Sequence, residues 1–492
     1  MEDAAPSFIR LPLKILNRIG FFPAVARLLF GQQIAAVMGL TWKAAFRFRL
    51  FIVIAVLLLA SVIALPILIE DDGTARGFTQ ILLTYTLTTV TGLLGLSTLW
   101  LACGTLARDI EECQMQMVAV KPIARWQIWL GKWLGIVTLN AALLLISGLS
   151  IYGLVQWRAT KLSAKEQTVL RNEVLVARAS AKPPTHQERL EELTEQYLKE
   201  ALQKSPVSAA DLPLLRQQIK ESLKAEAQIV PGGYQRPWQI DLGSAAKSLK
   251  GQPLFLRIKF NAAENSPSGT FDGGWQVGVP RQTRFWQTYE PMSLAPDTFH
   301  EFEIPADLFD ENGVLTVVFQ NYSNTTLIFP IEEGIEVLYR EGGFGLNFAR
   351  GLGIIFCWMA LLAALGLAAA SFMSFPVAAF ASLAALVVVF STGTLANAVS
   401  EGTILGYDPE HGSAGPRPID SVIIPVFKTI LNVINLAKDF SPVDSLSTGR
   451  SITWLDLARA VVQIVLVLGG VLAAIGIGSF SRRELAVAQN QS

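Results

Sequence analysis

The run GLGIIFCWMALLAALGLAAASFMSFPVAAFASLAALVVVFSTGTLANAVS, residues 351–400, contains no Asp, Glu, Lys, Arg or His. A helix that crosses the hydrocarbon core of a bilayer needs about 20 apolar residues at 1.5 Å each, so this stretch has room for two crossings. Its break falls at SFMSFP, 371–376, where Pro376 lacks a backbone N–H and suits the first turn of a new helix. Spans are expected near 351–371 and 376–398. Four more charge-free runs, 50–69, 77–107, 133–157 and 460–481, are each long enough for one crossing. The expectation is six spans.

Composition agrees. The chain has 492 residues, 51% of them apolar and only 16% charged, against roughly 25% charged in soluble proteins; its mean hydropathy is +0.41. Lys+Arg and Asp+Glu balance at 40 each, which argues against a nucleic-acid partner, because that role needs a basic surface to replace the counterions of phosphate. Cys103, Cys113 and Cys357 lie in or beside apolar runs and none lies in the polar middle of the chain, so a disulfide-stapled ectodomain is excluded.

Orientation follows from the short loops, since Lys and Arg near span ends stay in the cytoplasm. No acidic residue occurs from Ala4 to Ile69, while Arg10, Lys14, Arg18, Arg27, Lys43, Arg47 and Arg49 precede the first span. That places the N-terminus in the cytoplasm. Six crossings return the C-terminus to the same side, where Arg482 and Arg483 follow the last run, and put the loop 108–132 there too. The first apolar run starts about fifty residues in and fills a whole span, which argues against a cleavable signal peptide. Residues 8–40 mix apolar side chains with spaced cations, as in a helix lying in the inner headgroup layer.

The polar middle, 158–350, carries 45 of the 80 charges and reads as a soluble insert on the outer face. Its first part is helical: THQERLEELTEQYLKEAL opens with a Thr185–Glu188 capping box and continues with Leu190, Leu193, Tyr197 and Leu198 at helical spacing. From about 234 the period changes to two. Leu256, Ile258 and Phe260 alternate with Arg257 and Lys259, and Trp275/Val277/Val279 and Leu315/Val317/Phe319 repeat the pattern, as expected of an antiparallel β-sandwich or jelly roll. Trp275, Trp286 and Tyr289 are candidate contacts for a sugar; aromatics more often fill a core. Asn321 and Asn324 read as turn residues. In the later outer loop, 422–438 reads as an interfacial amphipathic helix, because Lys428 and Lys438 interrupt it.

The chain therefore divides into a cytoplasmic N-terminal segment (1–49), spans one to three (50–157), an outer helical region (158–233), an outer β-sandwich (234–347), spans four and five (348–399), an outer loop (400–456), span six (457–481) and a cytoplasmic tail (482–492).

No catalytic constellation is present. His186, His300 and His411 are scattered without a metal-ligand spacing, and no GxxxxGK[ST] loop exists to cradle nucleotide phosphates. The spans hold no ionisable group of the kind ion-coupled transporters use. Their polar residues, Thr84, Thr86, Thr88, Thr89, Thr91 and Asn140, suit hydrogen bonds between helices. No metal and no cofactor of its own is expected.

The loop RDIEECQMQMVAVKPIARWQIWLGKWLG, 108–135, with Glu111-Glu112, Pro122, Ala124-Arg125-Trp126 and Leu130-Gly131-Lys132, resembles the cytoplasmic segment of ABC-2 type transporter permeases. WKAAFRFRLFIVIAVLLLA (42–60), SLSTGRSITWLDLA (445–458) and FSRRELA (480–486) are similar to that family's lead-in to span one, lead-in to its last span, and tail. The likeness covers 40–157 and 350–486 and is greatest to the permeases of gliding motility and copper-enzyme maturation. It implies an α-helical polytopic fold in a bacterial inner membrane, two permease copies (homodimer or heterodimer), separate ATPase subunits that bind the ATP, and export. Arg108, Asp109, Glu111, Glu112, Pro122 and Arg125 would form the segment that couples to the ATPase. Two other classes stay open: a membrane-anchored envelope protein whose sandwich binds a polymer or partner, and an ion-coupled transporter.

Overall fold

The computed structural model describes residues 31–47, 50–68, 74–112, 123–170, 174–184, 187–204, 212–264, 266–331, 333–401, 420–438 and 440–483. Two compact units make up the chain: Met1–Val176 with Gly343–Ser492, and Ala177–Gly342. Along the chain the helices are α1 (Gln32–Arg47), α2 (Leu50–Leu68), α3 (Ala75–Glu111), α4 (Arg125–Ala159), α5 (Ala164–Val169), α6 (Gln187–Lys204), α7 (Leu212–Gln228), α8 (Phe344–Ala370), α9 (Phe375–Phe390), α10 (Thr392–Glu401), α11 (Asp420–Lys438), α12 (Pro442–Ser447) and α13 (Trp454–Arg482).

In the helical unit, among the described residues, four helices are long and apolar enough to cross a membrane: Gly77–Glu111, Arg125–Ala159, Phe344–Ala370 and Trp454–Arg482. Helices α2 and α9 are apolar but shorter, spanning Ile52–Leu65 and Phe375–Val389 over their described side chains. The break at 371–376 falls as expected, with α8 ending at Ala370 and Pro376 in the first turn of α9. The expected single helix over 376–398 instead ends at Ser391, whose N–H and hydroxyl both bond back to the Val387 carbonyl. A short polar side chain that satisfies the last turn in this way competes with continuation of the helix.

Helix α8 lies at the centre of this unit, with Ile355, Met359, Ala363 and Leu367 all buried. Small residues set the spacing. A Cβ on Gly366 would come within 2.7 Å of the Ala102 Cβ on α3, so the two backbones meet where neither carries bulk. Asn140 on α4 donates to the Thr98 hydroxyl on α3 at 2.8 Å, the kind of interhelical bond expected of these polar groups. Thr79 and Thr86 instead bond carbonyls of their own helix. Outward, Val56, Leu57, Leu96, Leu149, Phe380, Val387, Leu466 and Val471 are exposed, a larger apolar surface than a water-soluble fold leaves open. Exposed Trp126 and Trp157 stand at the two ends of α4, about 46 Å apart by helical rise, matching a bilayer of about 40–45 Å with its headgroups. The Lys161 ammonium lies 3.9 Å from the Trp157 ring centroid.

Helix α1 covers part of the segment expected to float on the membrane surface; residues 8–30 of that segment lie outside the described residues. Its buried face, Ile34, Val37, Met38 and Thr41, packs on α4, where Gly131 and Gly135 form a GxxxG pair. A Cβ on Gly131 would sit 2.7 Å from the Val37 Cβ, and one on Gly135 2.7 Å from the Thr41 Cβ. Trp42 Nε1 donates to the Thr138 hydroxyl at 2.9 Å. This helix is thus bolted to a long apolar helix rather than resting alone at the interface. Gly135→Leu is expected to push α1 off α4 and to raise the rate of proteolysis within 32–47 several-fold, with Gly153→Leu, which has open space around it, leaving that rate unchanged.

Among its described residues the second unit carries twelve strands: β1 (Val176–Ala181), β2 (Ile229–Val230), β3 (Gln235–Asp241), β4 (Leu254–Ile258), β5 (Asn261–Ala262), β6 (Phe271–Val277), β7 (Trp286–Gln287), β8 (Met292–Leu294), β9 (His300–Ile304), β10 (Val314–Asn321), β11 (Leu327–Ile328) and β12 (Ile335–Gly343). They form a sheet ordered β1-β12-β4-β9, a second ordered β3-β10-β6-β7 with β8 also on β6, and a small third, β2-β11-β5. The alternation seen in the sequence becomes the two inner faces: Leu254, Leu256 and Ile258 from the first sheet, and Trp275, Val277, Leu315, Val317 and Phe319 from the second, are buried in one core. Helices α6 and α7 form an antiparallel hairpin, in which Arg216 pairs with Glu195 and Lys220 with Glu191. The Thr185 end of its capping box lies outside the described residues. The region 158–233 is not wholly helical: VARASA, 176–181, is strand β1, and its buried Arg178 pairs with Glu301 on β9.

Candidate coupling site at the helix ends

At one end of the helical unit four chain segments meet: the last turn of α3, the first turns of α4, the turn between α8 and α9, and the end of α13. Arg125 is the first residue of α4. Its Nη1 donates to the carbonyls of Phe480 at 2.9 Å, Ser481 at 2.8 Å and Arg483 at 2.7 Å. These are the carbonyls that the end of a helix leaves unpaired, at the negative pole of its dipole, so a guanidinium is the group best suited to them. Arg483 in turn donates to the Ser371 carbonyl, beyond the end of α8, at 3.2 Å.

The acidic stretch makes the complementary contacts. Glu111 Oε1 accepts from the Phe375 N–H at 2.8 Å, capping the first turn of α9 with a carboxylate. The Arg108 guanidinium lies 4.4 Å from the Phe375 ring centroid, a cation–π contact. Asp109 takes the Lys132 ammonium at 2.5 Å, and Lys132 also donates to the Thr105 carbonyl at 2.8 Å. The Lys132 side chain is 9% exposed and that of Asp109 35%. Each charge thus finds a partner near the apolar boundary, as the cost of an uncompensated charge there requires.

Of the six residues expected to couple to an ATPase, Arg108, Asp109, Glu111 and Arg125 hold helix ends together, a different arrangement from a set of charges all turned outward. Glu112 closes α3, its N–H bonding the Arg108 carbonyl at 2.8 Å, and its side chain is exposed. Pro122 lies outside the described residues. Lys132, Phe375, Ser371 and Arg483 complete the junction. The charges mark themselves in the sequence; backbone acceptors and a ring reached across hundreds of residues do not.

In the β-rich unit the three candidate ligand contacts separate. Trp275 is core, 1% exposed, with its ring 4.6 Å from that of Phe319. It cannot reach a ligand on the surface. Trp286 is half-buried and stacks on Phe302 at 6.0 Å, and Tyr289 is 97% exposed. Asn321 ends strand β10 rather than lying in a turn as expected; it is buried and donates to the Val230 and Thr325 carbonyls, and Asn324 lies in the bend that follows. His300 shares its Nε2 with the Ala295 carbonyl and the Thr298 hydroxyl; His186, His411 and Cys113 lie outside the described residues. Among the described residues no group of three or more His, Cys, Asp or Glu could hold a metal ion. No family model matches the chain, and neither the curated proteins nor the solved structures compared with it gave a match.

Proposed function

We propose that this chain is the membrane subunit of an ABC-2 type, ATP-driven exporter, working as a dimer of permeases above separate ATPase subunits. In this reading α2 and α9 complete a set of six crossings in a bacterial inner membrane, both termini are cytoplasmic, and 158–350 projects outside to bind substrate, gate, or dock an envelope partner.

One observation carries the reading: the polar network that joins the ends of α3, α4, α8, α9 and α13. A protein whose helices only anchor an outer domain needs no such junction. Here a push on the short segment between Glu112 and Arg125 reaches α13 through Arg125, α9 through Glu111 and Arg108, and α8 through Arg483, because each link is a directional bond to a helix end. ATP-driven movement of a docked subunit would thereby be passed to several helices at once. The chain itself would catalyse nothing.

A second reading, a membrane-anchored envelope protein whose sandwich binds a polymer, draws on the full exposure of Tyr289. Co-expression with the Walker-motif ATPase encoded nearest to it separates the two. The exporter reading expects the two proteins to purify together in mild detergent, and Glu111→Ala with Glu112→Ala to abolish ATPase stimulation by the membrane subunit. A chain that purifies alone, and functions unchanged with both substitutions, sinks it in favour of the anchor.

A further inference from the structure

The helix that opens at SITWLDLARAVVQIV, 451–465, places Asp456, Arg459 and Gln463 at i, i+3 and i+7, on one face. Its first turn is built around the acid. Asp456 Oδ2 accepts from the Thr453 N–H at 2.9 Å and hydroxyl at 2.8 Å, while the Asp456 N–H donates back to that hydroxyl at 3.1 Å. The carboxylate is thereby fixed, and Oδ1 takes no part in the cap. Arg459 stands one turn further on, exposed, and among the described residues no ion pair joins it to Asp456. Immediately beyond, Val461–Leu468 is π-helical, a distortion that recurs at functional sites, and Gln463 is its one polar residue.

Asp456, Arg459 and Gln463, with Ser445 and Ser451, line an open cavity of about 350 Å³ that Ile354 and Phe440 also line. That volume lies within the range of small-ligand sites. The Ser451 hydroxyl is buried and has no protein hydrogen-bond partner. From the cavity an apolar strip, Val461, Val462, Leu466 and Val467, continues exposed along α13. The site is therefore polar at its head and apolar along its length, the shape of an amphiphile. Its charge is also specific. A purely anionic headgroup would meet Asp456 and a purely cationic one would meet Arg459, whereas a headgroup with both charges satisfies both.

We propose that this cavity binds the headgroup of a zwitterionic aminophospholipid, with the phosphate on Arg459, the ammonium on Asp456 and the serine hydroxyls, and an acyl chain along the strip on α13. Gln463 then has an ester carbonyl within its reach as an amide donor. The site requires that α13 lie in a bilayer but not that an ATPase be coupled to it, so it stands or falls apart from the transport reading.

The test is native mass spectrometry of the full chain, purified in detergent and supplied with equal amounts of phosphatidylethanolamine and phosphatidylglycerol. Retention of the ethanolamine lipid about fivefold or more over the glycerol lipid is expected, falling by a similar factor in Arg459→Gln and in Gln463→Leu, which spare the helix cap. Asp456→Asn keeps an acceptor for Thr453 and should lose the preference between the two lipids. Arg482→Gln, at the other end of α13, should change nothing. Equal retention of both lipids, or retention unaffected by Arg459→Gln and Gln463→Leu, overturns the proposal. So does displacement of the lipid by an equal concentration of free phosphoethanolamine, which would make the ligand a soluble metabolite.

Discussion

Replacing Asp109 by Leu should destabilise the helical unit by about 2–3 kcal/mol, because the Lys132 ammonium is then left buried with only a carbonyl. The usual cost of stripping one partner from a buried pair is about 3–5 kcal/mol, reduced here because Asp109 itself is about one third exposed. The companion variant decides the mechanism. Asp109→Leu combined with Lys132→Met removes both charges and should recover to within about 1 kcal/mol of the original, since an apolar pair of similar volume often replaces a buried ion pair at little cost. Unfolding midpoints in mixed micelles measure both. If the double variant is no more stable than Asp109→Leu alone, the pair is not what holds α3 to α4, and the network loses its most buried link.

In the other unit, Trp275→Ala is expected to cost about 4 kcal/mol, the range for emptying a large aromatic site in a packed core. The ring contacts Phe319 at 4.6 Å, Phe302 at 5.9 Å and Phe329 at 6.1 Å between centroids, so its loss opens both sheets at once. Hydrogen exchange over β6 and β10 in the full chain reports it. Tyr289→Ala should shift stability by less than about 0.5 kcal/mol, as exposed substitutions do. A ligand-binding role for the sandwich would then appear as binding lost with Tyr289→Ala and unchanged exchange protection. Were Trp275→Ala to leave protection intact while abolishing binding, the assignment of Trp275 to the core would be wrong.

Some of this architecture is legible in the chain. Period-two runs at 254–258 and 314–321 become strands because a half-buried strand has no other way to hide alternate residues. The SFMSFP break becomes a helix boundary because proline admits little else. Strand β1 resists reading for a physical reason: its Arg178 is buried, which the pattern forbids until Glu301, 123 residues later, is known to face it. The site divides in the same way. Charges at 108–112 are conspicuous, but the partners of Arg125 are main-chain carbonyls 355 to 358 residues away, and a carbonyl carries no signature. Gly131 and Gly135 do carry one, since GxxxG is a recognised packing pattern, but the pattern names no partner helix, and α1 precedes it by nearly a hundred residues.

The division of the helical unit into two stretches of chain has a consequence in time. Ribosomes add about 5–20 residues per second, so the 166 residues of Ala177–Gly342 delay the arrival of α8 by about 8–33 s after α4 has been made, and α13 follows later still. During that interval Arg125 has none of its carbonyl partners, and the faces of α3 and α4 that will meet α8, including Ala102 and Trp133, have no helix against them. The unit begun first is completed last. Until then those faces meet whatever surrounds the nascent helices rather than their final neighbours.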